Sequence, residues 1–270
     1  MGNILRGGIA AVLAALLVVV LGVQPAQASW YDYLVGHPLY RGVPWAIRCT
    51  GSYVIYGSSG TFILTAGHCF NPAERVYGTS AGFGTIAYQK WTTTTGDSEL
   101  IQTDSGVTMY QTIVDPTTGI GPGPNNSGHV TGKMSNDEQT YGTLVGKMGV
   151  ATGKTEGTIQ YRYVPWNGLT AYCATYARAT HDSGGPVWRW DSQGLRAVGM
   201  HVGRLDYEGA TYGCYLPIDT LLSQWGASMN FWPISAARGQ APSEDLMPES
   251  DSTELPPILT VADGAVWQND

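Results

Sequence analysis

Two short segments, far apart in the chain, contain the residue types of nucleophilic catalysis. Residues 65–69 read Thr-Ala-Gly-His-Cys, and residues 182–186 read Asp-Ser-Gly-Gly-Pro. A serine hydroxyl becomes an effective nucleophile when a base removes its proton during the attack. His68 is suited to be that base and afterwards to protonate the leaving amine. The two segments therefore predict acyl transfer through Ser183.

This chemistry needs a third group, because a buried carboxylate holds the imidazole in one tautomer and stabilises its charged form. Asp97 begins an Asp-Ser-Glu-Leu-Ile run that leads into apolar, strand-forming residues. Asp104 is the competing candidate, and an aspartate beside Gly96 is also an ordinary turn residue. We assign Asp97, which gives the chain order His68, Asp97, Ser183. Unrelated folds that contain a Ser-His-Asp triad have its residues in different chain orders, so this order helps to identify the fold.

Together these segments resemble the signatures of the chymotrypsin-like serine peptidases, in particular the bacterial branch that includes the streptogrisins. Residues 149–153, Gly-Val-Ala-Thr-Gly, look like a Gly-x-x-Thr-Gly segment of that branch. The resemblance implies an all-β fold of two packed six-stranded antiparallel β-barrels with a C-terminal helix. It also implies a serine endopeptidase, with polypeptide substrates and with no metal or organic cofactor.

The four cysteines fit two extracellular disulfides. Their spacing alone leaves three connectivities open. The resemblance implies the pairs Cys49–Cys69 and Cys173–Cys214.

Activation is expected to follow the bacterial branch. Digestive relatives pair a freed Ile-Val-Gly-Gly-type terminus with the aspartate before the nucleophile, and no such segment occurs in this sequence. In the bacterial branch an internal basic residue takes that part, and Lys147 matches its position. We therefore expect an ion pair between Lys147 and Asp182. The alternative is a solvated surface lysine.

The oxyanion hole of the family uses the backbone N–H groups of the nucleophile and of the residue two before it, here Ser183 and His181. Relatives place Gly at that second position, because Gly readily adopts the left-handed conformation. Glu99 and Val202 also depart from the family pattern, and Val202 replaces a serine that supports the catalytic aspartate. These departures leave open a catalytically impaired binding or adhesion protein on the same scaffold. An esterase is a further alternative.

Substrate preference depends on residues 199–203, Gly-Met-His-Val-Gly, which resemble the strand beside the specificity pocket. Relatives that cut after glutamate often have a histidine at the position of His201. We therefore expect His201, Gly203 and Arg204 to bind substrate, with Arg204 adding positive charge. The alternative is that His201 is simply a strand residue. The segment from Cys173 to Ser183 is longer than in relatives, so the pocket floor is not located.

The elements that must position these residues are strands joined by turns, since Gly is abundant and only 13% of residues are charged. One helix is predicted over residues 219–229, with Asp219 or Thr220 as its cap. Residues 29–235 are assigned to the peptidase domain. Residues 236–270 are acidic and contain prolines, which predicts a flexible tail.

Residues 1–28 read as a secretory signal peptide, with Arg6, an uncharged apolar run and Ala-Gln-Ala at the end. A membrane anchor is the alternative. After removal of the signal peptide, we expect the mature protein to be secreted, monomeric and without a membrane segment. The net charge of −7, without a basic patch, argues against nucleic-acid binding.

Overall fold

The computed structural model describes residues 31–42, 46–79, 81–233 and 266–270. The predicted signal peptide and residues 236–265 of the predicted tail lie outside these residues. Within them, no helix is long and apolar enough to cross a membrane.

The first half of the chain folds into a seven-stranded antiparallel sheet with the order β3-β2-β6-β7-β8-β5-β4. A separate parallel pair joins β1 to β9. Phe62, Ile63 and Leu64 in the centre of β5 are all buried, so this strand has core on both faces. The strand bounds are β1 (Tyr31–Val35), β2 (Pro38–Arg41), β3 (Ala46–Thr50), β4 (Val54–Gly57), β5 (Gly60–Thr65), β6 (Arg75–Tyr77), β7 (Gly82–Thr92), β8 (Gly96–Thr103) and β9 (Val107–Ile113).

The second half forms a closed barrel. The strands follow the path β15-β14-β11-β12-β13-β16, and a further pairing between β15 and β16 closes the ring. β10 adds to β15 in parallel, and β17 adds to it antiparallel. The bounds are β10 (Val130–Lys133), β11 (Leu144–Gly149), β12 (Gly153–Trp166), β13 (Leu169–Ala174), β14 (Pro186–Asp191), β15 (Gly194–Tyr207), β16 (Ala210–Pro217) and β17 (Val266–Asn269).

The predicted six strands per barrel therefore hold for the closed ring of the second half, while the first sheet has seven. In the second half, the strands outside the closed ring are β10 and β17, which are short and pair with β15. The expectation of a flexible tail differs from the structure at its end, because β17 is an ordered strand paired with β15.

The helix α1 spans Ile218–Trp225 and buries Ile218, Leu221 and Leu222. It ends earlier than predicted because Gly226 takes the left-handed conformation, with a φ of 56°, that commonly terminates helices. Pro217 precedes it, so neither predicted cap is used. The helix binds β8 of the first sheet, where Gln224 Oε1 accepts a hydrogen bond of 2.7 Å from Ser98 Oγ.

The two halves meet along buried polar contacts beside the predicted site. Tyr53 of the first half donates from its hydroxyl to Val187 O at 2.6 Å, and the Thr50 N–H donates to Ser183 O at 2.9 Å. Buried hydrogen bonds of this kind fix relative position, because leaving either partner unsatisfied costs about 1–3 kcal/mol.

Glu99 is the most unusual buried group of the first sheet, because its side chain is fully buried without a cationic partner among the described residues. Gln89 Nε2 donates to Glu99 Oε2 at 3.2 Å. Burial raises the pKa of Glu99 to about 9, and the nearby charge of Asp97 also raises it, against the Gln89 hydrogen bond. Glu99 is therefore a neutral acid at pH 7.

Replacing Glu99 by glutamine is expected to reduce the loss of stability that the wild type shows as the pH rises from 4.5 to about 9. Folded Glu99 keeps its proton until about pH 9, whereas the unfolded chain releases it near the ordinary value of 4.5. The wild type therefore loses stability between these pH values, with a slope of up to about 1.4 kcal/mol per pH unit. The measurement is Tm from pH 5 to 9 for both proteins, whose difference should grow with pH.

Glu156→Gln is the matched control, because Glu156 is exposed and pairs with Lys154 at 3.0 Å. A constant Tm difference between wild type and Glu99→Gln across this pH range would show that Glu99 is ionised in the folded protein.

Candidate active site

The structure brings His68, Asp97 and Ser183 into one hydrogen-bonded line between the two halves. His68 Nε2 lies 2.9 Å from Ser183 Oγ, and His68 Nδ1 lies 3.0 Å from both carboxylate oxygens of Asp97. His68 follows β5, Asp97 lies in β8, and Ser183 lies in the turn before β14. The first sheet therefore supplies the imidazole and the carboxylate, and the second barrel supplies the hydroxyl.

Asp97 is fully buried and has two further donors. The His68 N–H donates to Asp97 Oδ1, and Trp166 Nε1 donates to Asp97 Oδ2, each at 3.1 Å. The competing candidate, Asp104, is instead an exposed partner of Arg75.

Trp166 corrects one expectation from the sequence. Val202 was expected to leave the catalytic carboxylate one hydrogen bond short, because it stands where relatives have serine. The indole N–H of Trp166, from β12, supplies a hydrogen bond to this carboxylate in the folded protein.

The segment before Ser183 is held by a buried ion pair. Lys147 Nζ lies 2.5 Å from Asp182 Oδ2, and both side chains are fully buried, which excludes a solvated surface lysine. Thr152 donates its hydroxyl to the same carboxylate oxygen at 2.7 Å. Burial alone would raise the pKa of Asp182, but the Lys147 charge and these hydrogen bonds lower it. Asp182 is therefore ionised.

The Gly-x-x-Thr-Gly segment has a physical role at this ion pair. A Cβ on Gly149 would lie 2.1 Å from Asp182 Oδ1, so only glycine leaves room for the carboxylate. The backbone N–H groups of Ala151 and Thr152 donate to that oxygen at 2.9 and 3.2 Å. The segment therefore forms a cradle for Asp182.

His181 adopts the backbone conformation for which glycine was expected. Its φ is 82°, in the left-handed region that side chains rarely occupy. Thr50 Oγ1 donates to His181 O at 2.9 Å, and His181 Nδ1 lies 3.2 Å from Arg48 O. These contacts offset a strain of about 1–3 kcal/mol. Among the described residues, no acceptor is bonded to the backbone N–H of His181 or of Ser183.

His201 lies in a closed pocket beside this line. It is fully buried, and its Nδ1 lies 3.1 Å from the Tyr176 hydroxyl. Its Nε2 lies 2.9 Å from Asp270 Oδ2. Burial lowers the pKa of His201, although Asp270 acts in the opposite direction. The imidazole is therefore neutral and donates from Nε2 to the carboxylate.

Gly203 and Arg204 contact the segment of residues 266–270, which lies in the cleft. Gly203 is opposite Asn269 in the β15–β17 register, and a Cβ there would lie 2.3 Å from Gln268 O. Arg204 Nη2 donates to Gln268 Oε1. The Arg204 side chain bonds Gln268 and not Asp270, but, against the effect of burial, its charge, like that of Arg178, lowers the pKa of Asp270.

Arg178 makes the direct ion pair with Asp270, and it was not predicted from the sequence. Arg178 Nη1 lies 2.9 Å from Asp270 Oδ1, and the Asp270 side chain is only 2% exposed. Arg178 belongs to the long segment between Cys173 and Ser183, for which the family pattern offered no match. The available signal in the sequence was a positive charge in this segment shortly before the predicted nucleophile.

The disulfides join Cys49 to Cys69 and Cys173 to Cys214, the pairing that the resemblance implies. His68 lies within 4.8 Å of the first pair, but oxidised sulfurs cannot act as thiolate ligands. This cluster therefore does not have the donors of a zinc site.

No family model and no curated protein matches the sequence. Among solved structures, protease A of Thermobifida fusca is 25% identical, with a TM-score of 0.57, over 74% of this chain and 100% of that one. The chymotrypsin of Cellulomonas bogoriensis is 21% identical, with a TM-score of 0.56, over 75% of this chain and 100% of that one.

A glutamic-acid-specific serine protease, described as using a histidine triad in substrate binding, is 22% identical. Its TM-score is 0.57, over 73% of this chain and 100% of that one. These likenesses confirm the fold class predicted from the sequence. The chain has the chymotrypsin-like two-barrel fold of the bacterial serine proteases.

Proposed function

We propose that this chain is a secreted serine endopeptidase that prefers an acidic residue at the cleavage site. The observation that carries the proposal is the continuous line from Asp97 through His68 to Ser183, with contacts of 3.0 and 2.9 Å. The two disulfides are consistent with export through residues 1–28.

In the first half-reaction, Ser183 Oγ attacks the scissile carbonyl carbon while His68 Nε2 takes the hydroxyl proton. The negative charge that forms on the carbonyl oxygen is bound by the N–H groups of His181 and Ser183. His68 then protonates the leaving amine, and the carbon–nitrogen bond breaks. The product is an acyl ester on Ser183.

In the second half-reaction, His68 takes a proton from water, whose oxygen attacks the ester. Collapse of this intermediate returns the proton to Ser183 Oγ and releases a carboxylic acid. Asp97 keeps its charge throughout, since its role is to orient His68 and to stabilise the imidazolium.

The alternative of an impaired binding protein rested on three departures from the family pattern. His181 takes the required left-handed φ, and Trp166 supplies a hydrogen bond to Asp97. Glu99 is neutral, so it adds no charge beside Asp97. These observations favour activity.

A fluorophosphonate probe is expected to label the wild type at Ser183 and to leave Ser183→Ala unlabelled, because only an activated serine reacts. Asp97→Asn should label and cleave about 10⁴-fold more slowly, since the imidazole then takes the wrong tautomer. Labelling sites are read by mass spectrometry. Asp104→Asn is the control and should match the wild type; equal rates for Asp97→Asn would remove Asp97 from the mechanism.

Lys147→Met is expected to lower the free energy of unfolding by about 3–5 kcal/mol, because it leaves Asp182 charged and buried without its partner. The double variant Lys147→Met, Asp182→Asn should recover part of this loss, since it removes both charges. Urea unfolding at pH 7 measures both. The exposed pair gives the control: Lys154→Met should cost less than about 1 kcal/mol. Equal losses in the single and double variants would contradict a buried ion pair.

His181→Gly is expected to keep kcat/KM within about threefold of the wild type, because glycine retains the N–H and adopts positive φ without strain. His181→Pro lacks that N–H and also cannot adopt the φ of 82°, so it should lose at least about 10²- to 10³-fold in kcat. A large loss in His181→Gly would instead place the imidazole side chain in the reaction.

A further inference from the structure

Residues 266–270 occupy the cleft as a bound peptide would. Their strand β17 runs antiparallel to β15, and Gly203, Arg204 and Leu205 lie opposite Asn269, Gln268 and Trp267. Addition of an extended segment to a sheet edge is a general mode of peptide recognition.

The end of this segment lies at the nucleophile. Ser183 Oγ donates to Asp270 O at 3.0 Å, so the Asp270 main chain lies beside the nucleophile, with its oxygen on Ser183 Oγ and not on the N–H groups of His181 and Ser183. The surroundings of each side chain in residues 266–270 therefore indicate which substrate residue the protein accepts at that position.

The pocket at Asp270 matches a short carboxylate. Each oxygen has its own partner at 2.9 Å: Arg178 Nη1 for Oδ1 and His201 Nε2 for Oδ2. Since the buried imidazole is neutral, the guanidinium of Arg178 is the nearest positive charge. A pocket with a charged and a neutral donor distinguishes a carboxylate from its amide.

The depth of this pocket favours aspartate over glutamate. Behind the contact, His201 and Tyr176 are both buried, and their rings lie 5.6 Å apart in an edge-to-face arrangement. A glutamate side chain has one more methylene, which would push its carboxylate into these rings. Close-packed interiors resist such insertions.

The second side chain of the segment that packs against the protein is Trp267, which is partly buried. Its ring lies 6.3 Å from that of Trp166 in an edge-to-face arrangement, and it packs against the core of the second barrel. Aromatic pairs in this arrangement are attractive. The intervening Gln268 and Asn269 are exposed, which places little restriction on those two positions.

Resting on the proposed peptidase function, we infer that the chain recognises polypeptides with an aromatic residue three positions before an aspartate and cleaves after that aspartate. Arg178 is the specificity-determining residue for the acidic side chain, and Trp166 contacts the aromatic one. The bond that breaks is the amide on the carboxyl side of the aspartate. Water supplies the hydroxyl to the new carboxylic acid and the proton to the new amine.

The test compares kcat/KM of the mature full chain on acetylated tetrapeptides that carry a fluorogenic amide. The sequence Trp-Gln-Asn-Asp is expected to exceed Trp-Gln-Asn-Glu and Ala-Gln-Asn-Asp by about 10-fold each. Its advantage over Trp-Gln-Asn-Asn is expected to be about 100-fold. Competition from residues 266–270 lowers all four values by the same factor, so the ratios are unaffected.

Arg178→Gln is expected to lower the ratio of kcat/KM on the Asp peptide to that on the Asn peptide by about 10- to 100-fold, whatever its effect on competition from residues 266–270. Arg178→Lys, which retains the charge, should recover part of this loss. Arg75→Gln is the matched control, because Arg75 pairs with Asp104 in the first sheet and should change no ratio. Unchanged Tm values would show that the variants are folded.

Fluorophosphonate labelling separates the two ways to fail. Labelling of Ser183 together with cleavage that ignores the Trp, Asp and Arg178 changes would overturn the inferred recognition and leave the peptidase. Absence of labelling and cleavage would overturn the peptidase. Binding of the free peptide Val-Trp-Gln-Asn-Asp to the Ser183→Ala chain then decides recognition: loss of affinity on Asp-to-Asn or Trp-to-Ala replacement supports it, and equal affinities overturn it.

Discussion

The buried ion pair between Lys147 and Asp182 is the interaction on which the geometry of the site depends. It joins β11 to the turn that carries Ser183, and neither charge has access to solvent. Desolvating two charges is costly, so such a pair persists only when additional hydrogen bonds satisfy it. The backbone of Ala151 and Thr152 provides them, and Gly149 leaves the space that the carboxylate needs. A fixed Asp182 in turn restrains the backbone of its neighbours His181 and Ser183.

Two residues that look like defects in the sequence are compensated by their neighbours. His181 holds a strained φ because Thr50 and Arg48 bind its backbone and its ring. Val202 lacks a hydroxyl, but the indole of Trp166 reaches Asp97 from a different strand. A hydrogen bond to the Asp97 carboxylate can be supplied by any donor whose geometry fits, which is why one missing side chain does not predict a missing interaction.

Trp166 contacts both the Asp97 carboxylate and the segment of residues 266–270. Its N–H bonds the Asp97 carboxylate, while its ring faces Trp267 of the segment in the cleft. One side chain therefore contacts both the catalytic line and the bound residues. His201 and Arg178 bind the Asp270 side chain, and Ser183 Oγ bonds its main chain, so the segment is held at Trp267 and at Asp270.

The sequence by itself predicted the candidate triad, because a His and a Ser in characteristic short segments, in the order His68, Asp97, Ser183, are local patterns. The family resemblance added the disulfide pairs, the Lys147–Asp182 partnership and the two-barrel fold. Only the tertiary structure decided the contact of Trp166 with Asp97, 69 residues apart, and of Arg178 with Asp270, 92 residues apart. Such contacts leave no local pattern, because they depend on how strands from distant parts of the chain are brought to one cleft.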